Sequence, residues 1–112
     1  MKRGTIILVR FPFTDYSSSK VRPAVVISCD NEQDLCVAFI SSIIPLLMDR
    51  TDFLIKKRDL GFKQTGLKKD SVFRMRKIAT LDRKIIIGKL GEVSAQIQKE
   101  LDQRLRLGLG LL

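Results

Sequence analysis

The sequence predicts a mainly β protein of the α+β class: a small, strongly bent antiparallel sheet or barrel followed by an amphipathic C-terminal helix. Short apolar segments rich in β-branched residues recur along the chain, which is typical of strands. Near the C-terminus the apolar residues recur every four positions instead, which indicates a helix. With 112 residues the chain is long enough for one core, so we expect a single domain over 1–112.

Three segments in the N-terminal part predict strands. They are TIILVRF at 5–11, PAVVIS at 23–28 and LCVAFIS at 35–41. The polar run at 29–34 separates the second segment from the third and favours a hairpin-like turn between them.

The segment DSVFRMRKI at 70–78 alternates in part between basic and apolar residues, as a strand with two unlike faces does. One side carries Val72, Arg74 and Arg76, and the other side carries Phe73 and Met75. We therefore expect a strand with a basic face. DFLIKK at 52–57 predicts one more short strand, whereas KIIIGKL at 84–90 fits either a strand end or a short helix.

The C-terminal helix is predicted to begin after Ser94, whose hydroxyl can accept a hydrogen bond from an unpaired amide of the first turn. Polar and charged residues separate its regularly spaced apolar ones, which are Ile97, Leu101 and Leu105. Gly108 and Gly110 favour fraying or termination of the helix.

The chain is strongly basic, with 21 Lys and Arg against 12 Asp and Glu, a formal net charge of +9. Such an excess favours a polyanionic partner, namely nucleic acid, an acidic protein or an anionic membrane surface. The alternative interpretation is that the charge serves solubility alone.

The apolar runs are far shorter than a membrane span, and the run after the N-terminus is too short for the core of a signal peptide. We therefore expect a cytoplasmic protein. In that compartment Cys29 and Cys36 are expected to be reduced thiols. Without histidine, two cysteines do not make an ordinary zinc site.

The absence of histidine and tryptophan limits the possible chemistry. It excludes Ser-His-Asp and Cys-His nucleophile systems, and it disfavours the usual histidine-ligated metals. An active site here must use arginine, lysine, carboxylates and hydroxyls. That set suits phosphodiesters, because arginine holds phosphate oxygens by paired hydrogen bonds. RNA suits it best, since the ribose supplies its own 2′-OH nucleophile.

Three segments carry a family resemblance: KRGTIILVRFPFTDYSSSKVRPAVVIS at 2–28, VAFISS at 37–42 and GLKKDSVFRMRKIATLDRK at 66–84. Together with the C-terminal helix, their order resembles the MazF/PemK-like toxins of type II toxin-antitoxin modules. The resemblance extends over essentially the whole chain and is weakest at 43–58.

The resemblance implies an SH3-like β-barrel, usually a homodimer, that acts as a metal-independent endoribonuclease on single-stranded RNA, often mRNA. The implied products carry a 2′,3′-cyclic phosphate and a 5′-OH. No cofactor is implied, and the implied protein partner is an acidic antitoxin whose tail covers the basic groove.

Individual site residues follow from the same resemblance. Arg22 matches the catalytic arginine before proline, and Ser41 falls on the catalytic threonine. The expected RNA contacts are Ser42, Arg74, Arg76, Lys20 and Tyr16. Some positions depart from the family. Ser41 keeps the hydroxyl of the threonine but lacks its methyl, and Thr5 replaces a common acidic residue. Arg76 replaces an acidic or amide residue of some members, and Ala79 replaces a common arginine.

Other interpretations stay open at these positions. Arg22 is compatible with a solvated loop, Ser41 and Ser42 with a strand end, and Arg74 and Arg76 with an exposed basic face. Asp82, beside Arg83, fits a turn or an ion pair better than a catalytic base. Two other functions also stay open. One is a non-catalytic toxin of the gyrase-inhibitor type, although the chain lacks the C-terminal Trp-Gly-Ile of those proteins. The other is a degenerate RNA-binding module.

Overall fold

The computed structural model describes residues 1–12 and 19–111, with the backbone alone at 11, 12 and 19. The strands are β1 Thr5–Pro12, β2 Ser19–Ser28, β3 Asp34–Ser41, β4 Asp52–Ile55, β5 Ser71–Asp82 and β6 Ile86–Glu92. The helices are α1 Phe62–Thr65 and α2 Ala95–Leu109, and a 3-10 turn occupies Arg83–Ile85. All the predicted strands are present, and the segment at 84–90 forms most of β6.

The six strands form one antiparallel sheet in the order β4-β5-β3-β2-β1-β6. The predicted hairpin pairs β2 with β3, placing Val25 opposite Ala38. In its turn, the Asn31 side chain accepts hydrogen bonds from the amides of Gln33 and Asp34. Within the described residues β4 does not pair with β6, so the hydrogen-bonded sheet is open there.

The sheet is nevertheless strongly curved, because a short connection joins strands that lie far apart in its order. Four strand spacings separate β5 from β6, which is about 19 Å across a flat sheet. The chain from Asp82 to Ile86 reaches at most about 14 Å when fully extended. The sheet therefore rolls into an incomplete barrel, as the predicted fold class requires.

Strand β1 contributes to two apolar clusters, one on each face of the sheet. Ile6 belongs to the cluster that packs under α2, and Ile7 to the cluster on the other face. Both side chains are completely buried. Burial on both faces explains why this segment is a continuous apolar run instead of an alternating one.

Helix α2 packs on the first cluster through Ile97 and Leu101. Ser94 is the predicted N-cap, and its hydroxyl accepts a hydrogen bond from the amide of Ile97 at 3.2 Å. The helix continues through Gly108, so only Gly110, with a φ of 70°, ends it. Glycine costs a helix only about 0.5–1 kcal/mol relative to alanine, which the packed face tolerates. Among the described helices, none is long and apolar enough to cross a bilayer.

The two cysteines are free and half-buried. Burial raises the pKa of the Cys36 thiol above its ordinary value, so this thiol is protonated at neutral pH.

Candidate nucleic-acid interface

A groove opens where the pairing between β2 and β3 stops. The last pair is Ala24 with Phe39, and the same register would next bring Pro23 opposite Ile40 and Arg22 opposite Ser41. Proline has no N–H to donate, which weakens a central ladder. Strand β2 keeps its pairing with β1 beyond this point. Arg22 and Ser41 both line the groove just beyond the end of the β2–β3 ladder.

The groove has a volume of about 430 Å³. Its polar lining residues are Arg22, Ser41, Ser42, Lys68, Lys69 and Ser71. The remaining lining is mostly aliphatic and includes Leu8, Leu67 and Leu90. The structure thus brings together three residues predicted from the sequence, and it adds two lysines from the loop before β5.

The hydroxyl of Ser41 takes part in a local turn at the edge of the groove. Its Oγ accepts a hydrogen bond from the amide of Ile43 at 3.0 Å and donates to the carbonyl of Ile43 at 3.2 Å. A hydroxyl has one donor and two acceptor sites, and its proton can rotate toward a new partner. Ser41 can therefore donate to a ligand oxygen without losing the bond from the Ile43 amide.

Arg22 is half-buried and extended in β2. Lys20 lies two residues earlier in the same strand, so it occupies the same strand face, and it is exposed. Lys20 is not among the groove-lining residues. Tyr16 lies outside the described residues.

The other two predicted arginines do not line the groove. Arg74 Nε donates to Asp52 Oδ1 at 2.9 Å, and the Asp52 side chain is only 2% exposed. Arg76 Nε donates to Asp49 Oδ2 at 2.9 Å. The two arginines therefore attach β5 to the first residue of β4 and to the segment before it.

That attachment includes further polar contacts around Asp49. Thr51 Oγ1 donates to Asp49 Oδ2 at 2.7 Å, and the amide of Asp49 donates to Asp52 Oδ2 at 3.0 Å. The hydrogen bonds from Thr51 and Arg76 lower the pKa of the Asp49 carboxyl below its ordinary value. We call Asp49, Thr51, Asp52, Arg74 and Arg76 the β5 anchor.

The charge of the groove is uniformly positive among the residues described. Arg22, Lys68 and Lys69 line it, and no carboxylate does. Elsewhere in the described chain, no group of three or more Cys, Asp or Glu side chains is placed to hold a metal ion. A positive groove with an apolar floor suits a ligand that is anionic at its edge and flat and apolar on its faces.

The sequence match agrees with this geometry. The model of the family described as "PemK-like, MazF-like toxin of type II toxin-antitoxin system" matches residues 2–109. The chain belongs to this family. A comparison with curated protein sequences found no match.

Solved structures confirm the MazF fold. The MazE-MazF complex (Form-II) from Deinococcus radiodurans aligns with a TM-score of 0.77 at 18% identity, covering 100% of this chain and 97% of that one. An endoribonuclease in complex with its cognate antitoxin from Mycobacterial species aligns with a TM-score of 0.75 at 17% identity, covering 100% of this chain and 97% of that one. The Mycobacterium tuberculosis toxin MazF-mt6 aligns with a TM-score of 0.75 at 16% identity, covering 96% of this chain and 98% of that one.

In this MazF-like chain the loop that carries Lys68 and Lys69 also lines the groove, which the sequence did not predict. It follows the short helix α1 and is seated directly on β6. A Cβ at Gly66, where φ is 75°, would lie 2.1 Å from the carbonyl oxygen of Leu90. A Cβ at Gly91 would lie 2.2 Å from the carbonyl oxygen of Gln64. The available sequence signal was the glycine before the lysine pair, which by itself also fits an ordinary surface turn.

Asp82 has a structural role in this MazF-like toxin. Its side chain accepts a hydrogen bond from the amide of Lys84 at 2.9 Å and caps the 3-10 turn between β5 and β6. The turn interpretation of this residue is therefore confirmed.

Proposed function

We propose that this MazF-like toxin is a sequence-selective endoribonuclease that cleaves single-stranded RNA, such as mRNA, in the cytoplasm without a metal ion. The observation that carries the proposal is the positive groove that Arg22 and Ser41 both line, just beyond the end of the β2–β3 ladder. The related structure described as an endoribonuclease supports the reaction class.

In the proposed reaction the 2′-OH attacks the adjacent phosphorus and the bond to the 5′ oxygen breaks. The products are a 2′,3′-cyclic phosphate and a 5′-OH. Arg22 stabilises the charge that develops on the phosphate oxygens, and the Ser41 hydroxyl donates to one of them. Arginine stays protonated in proteins, so Arg22 has no role as the base that takes the 2′-OH proton.

The direct test is to incubate the purified protein with mixed RNA in EDTA and to map new 5′-OH ends. We expect cleavage at a short motif. Arg22→Ala should lower the rate by about 100-fold or more, the order seen when a charge-stabilising donor is removed. Its thermal transition should change little, because Arg22 is only half-buried.

Arg106→Ala is the matched control, since Arg106 is exposed on α2 and does not line the groove. This variant should cleave like the wild type. Full activity in Arg22→Ala would remove Arg22 from the mechanism.

The proposed protein partner is an acidic antitoxin, and the proposed assembly is a homodimer. The net charge of +9 and the lack of a carboxylate among the described groove-lining residues support an acidic partner. Structural relatives are described in complex with a cognate antitoxin and as MazE-MazF. A small acidic reading frame beside the gene is the first candidate to co-express and purify with the toxin.

A second candidate function is RNA binding without cleavage. It is favoured by Arg74, which matches a site arginine of some members but is paired here with Asp52. The absence of a carboxylate from the described groove lining points the same way. Retention of RNA in a gel shift without new 5′-OH ends would support this candidate over the nuclease.

A further inference from the structure

The predicted arginines of β5 and the lysines of the loop before it differ in their ion pairing. Arg74 and Arg76 each donate to a carboxylate at 2.9 Å, so their charge is already compensated within the chain. Lys68 and Lys69 line the groove and are exposed, and in the described part of the chain neither forms an ion pair. Their two charges are therefore available to an anion in the groove.

The backbone that presents these lysines is fixed on both sides. The amide of Leu67 donates to Thr65 Oγ1 at 3.1 Å, and Ser71 Oγ donates to the carbonyl of Lys69 at 2.8 Å. Asp70 Oδ1 accepts a hydrogen bond from the amide of Lys57 at 2.8 Å. Gly66 is in contact with β6, as described above. A fixed loop with two long cationic side chains can hold an anion with little loss of backbone entropy.

The space beside these lysines fits a nucleotide in particular. Leu67 and Leu90 contribute to an aliphatic floor, while Arg22 and Ser41 lie at the end of the β2–β3 ladder. A base has apolar faces that can cover such a floor, and the backbone phosphates on either side of it are anionic. A strand that places one phosphate at Arg22 therefore needs a second cationic position for the next one.

We propose that Lys68 and Lys69 form a second phosphate-binding site of the groove, which holds an RNA backbone phosphate neighbouring the one at Arg22 and Ser41. This inference rests on the proposed function, because it takes the groove to be the RNA site. Lysine suits the role, since it binds phosphate as a point charge and does not require a fixed base geometry.

The test is binding of a fluorescein-labelled 2′-O-methyl RNA 12-mer of random sequence, which lacks the 2′-OH and is not cleaved. The double variant Lys68→Ala with Lys69→Ala should bind about tenfold or more weaker at 0.1 M salt. Its plot of log K against log salt should be shallower by about 0.7, because the site holds one phosphate and each phosphate neutralised on a single strand contributes about 0.7. Lys68→Arg with Lys69→Arg should retain the wild-type slope.

The matched control is Lys84→Ala with Lys99→Ala, which removes the same charge from exposed positions outside the groove lining. Equal weakening in both double alanine variants would mean a general charge effect and would overturn the proposal. The proposal would also be overturned if the lysine variant bound polyglutamate more weakly but bound the RNA probe like the wild type. That result would assign the two lysines to an acidic-protein site. All variants should keep the wild-type thermal transition.

The outcome is separable from that of the proposed nuclease. A shallower salt slope in the lysine variant together with an inactive wild type would support the second phosphate site and overturn the cleavage reaction. Cleavage by the wild type together with wild-type binding in the lysine variant would support the nuclease and overturn the second phosphate site.

Discussion

Arg22 is held in an extended conformation by the residue that follows it. Pro23 fixes its own φ and disfavours helical geometry in the residue before it. In the sheet, this pair is also where β2 leaves β3 while remaining paired with β1. One Arg-Pro pair therefore supplies a cation and helps to create the groove into which that cation projects.

Substitutions of Ser41 test whether its hydroxyl takes part in cleavage. Ser41→Ala should lower RNA cleavage by about 100-fold, since it removes a donor to the developing phosphate charge. Ser41→Thr keeps the hydroxyl and should retain most activity. Cleavage rates on one RNA substrate check both variants, and equal rates for alanine and threonine would assign Ser41 to the local turn alone.

The sequence predicted part of the groove lining at this scale. Arg22, Ser41 and Ser42 line one groove because the pairing between β2 and β3 ends just before them. Arg74 and Arg76 were predicted beside them but are paired with Asp52 and Asp49. Those pairs connect residues more than twenty positions apart, which alternation within one strand does not encode.

At the scale of elements, β5 changes direction where its pairing with β3 shifts register. Phe39 lies opposite Arg74, whereas its neighbour Ala38 lies opposite Ile78. The residues between them in β5 are left out of the ladder, so the strand bends there, as strands do at bulges. Arg76 lies within this bend, and its exposed side chain reaches Asp49.

The β5 anchor has a testable pH dependence through Asp49. The pKa of this carboxyl is lowered from 3.8 in the folded chain, so the charged form stabilises the fold above that value. The stabilisation is lost as pH falls through the lowered pKa. Asp49→Asn should therefore lower the urea midpoint at pH 7, and its difference from wild type should shrink in strong acid.

Glu32→Gln is the control for this measurement, because Glu32 is exposed in the β2–β3 turn and forms no ion pair in the described part of the chain. It removes the same charge and should leave the urea midpoint nearly unchanged. A deficit in Asp49→Asn that is the same at pH 7 and in strong acid would rule out the ionised anchor.

For the whole molecule, the notable surface feature besides charge is an apolar segment between β3 and β4. Ile43, Leu46 and Leu47 are largely or fully exposed there, and Ile43 also lines the groove. Contiguous exposed apolar residues mark interaction surfaces more often than scattered ones do. This segment is the surface that we expect the proposed homodimer to cover.

The dimer prediction is checked by light scattering after size-exclusion chromatography. The wild type should elute as a dimer, and Leu46→Glu with Leu47→Glu should shift it toward monomer, because two charges would be buried in the interface. Leu60→Glu is the control, since Leu60 is 97% exposed in another loop. A monomeric wild type, or an equal shift with Leu60→Glu, would contradict the prediction.

The sequence by itself determined the local structure and the kind of chemistry. Strand segments, the Ser94 cap and the extended Arg22 depend on neighbouring residues, and the lack of histidine excludes histidine-based nucleophile systems. Only the tertiary structure decided which of the predicted cations form ion pairs within the described chain. Asp52 neutralises Arg74 across the sheet, whereas Gly66 seats Lys68 and Lys69 at the groove. The physical reason is that strand order and register set these contacts, and both depend on pairings between distant segments.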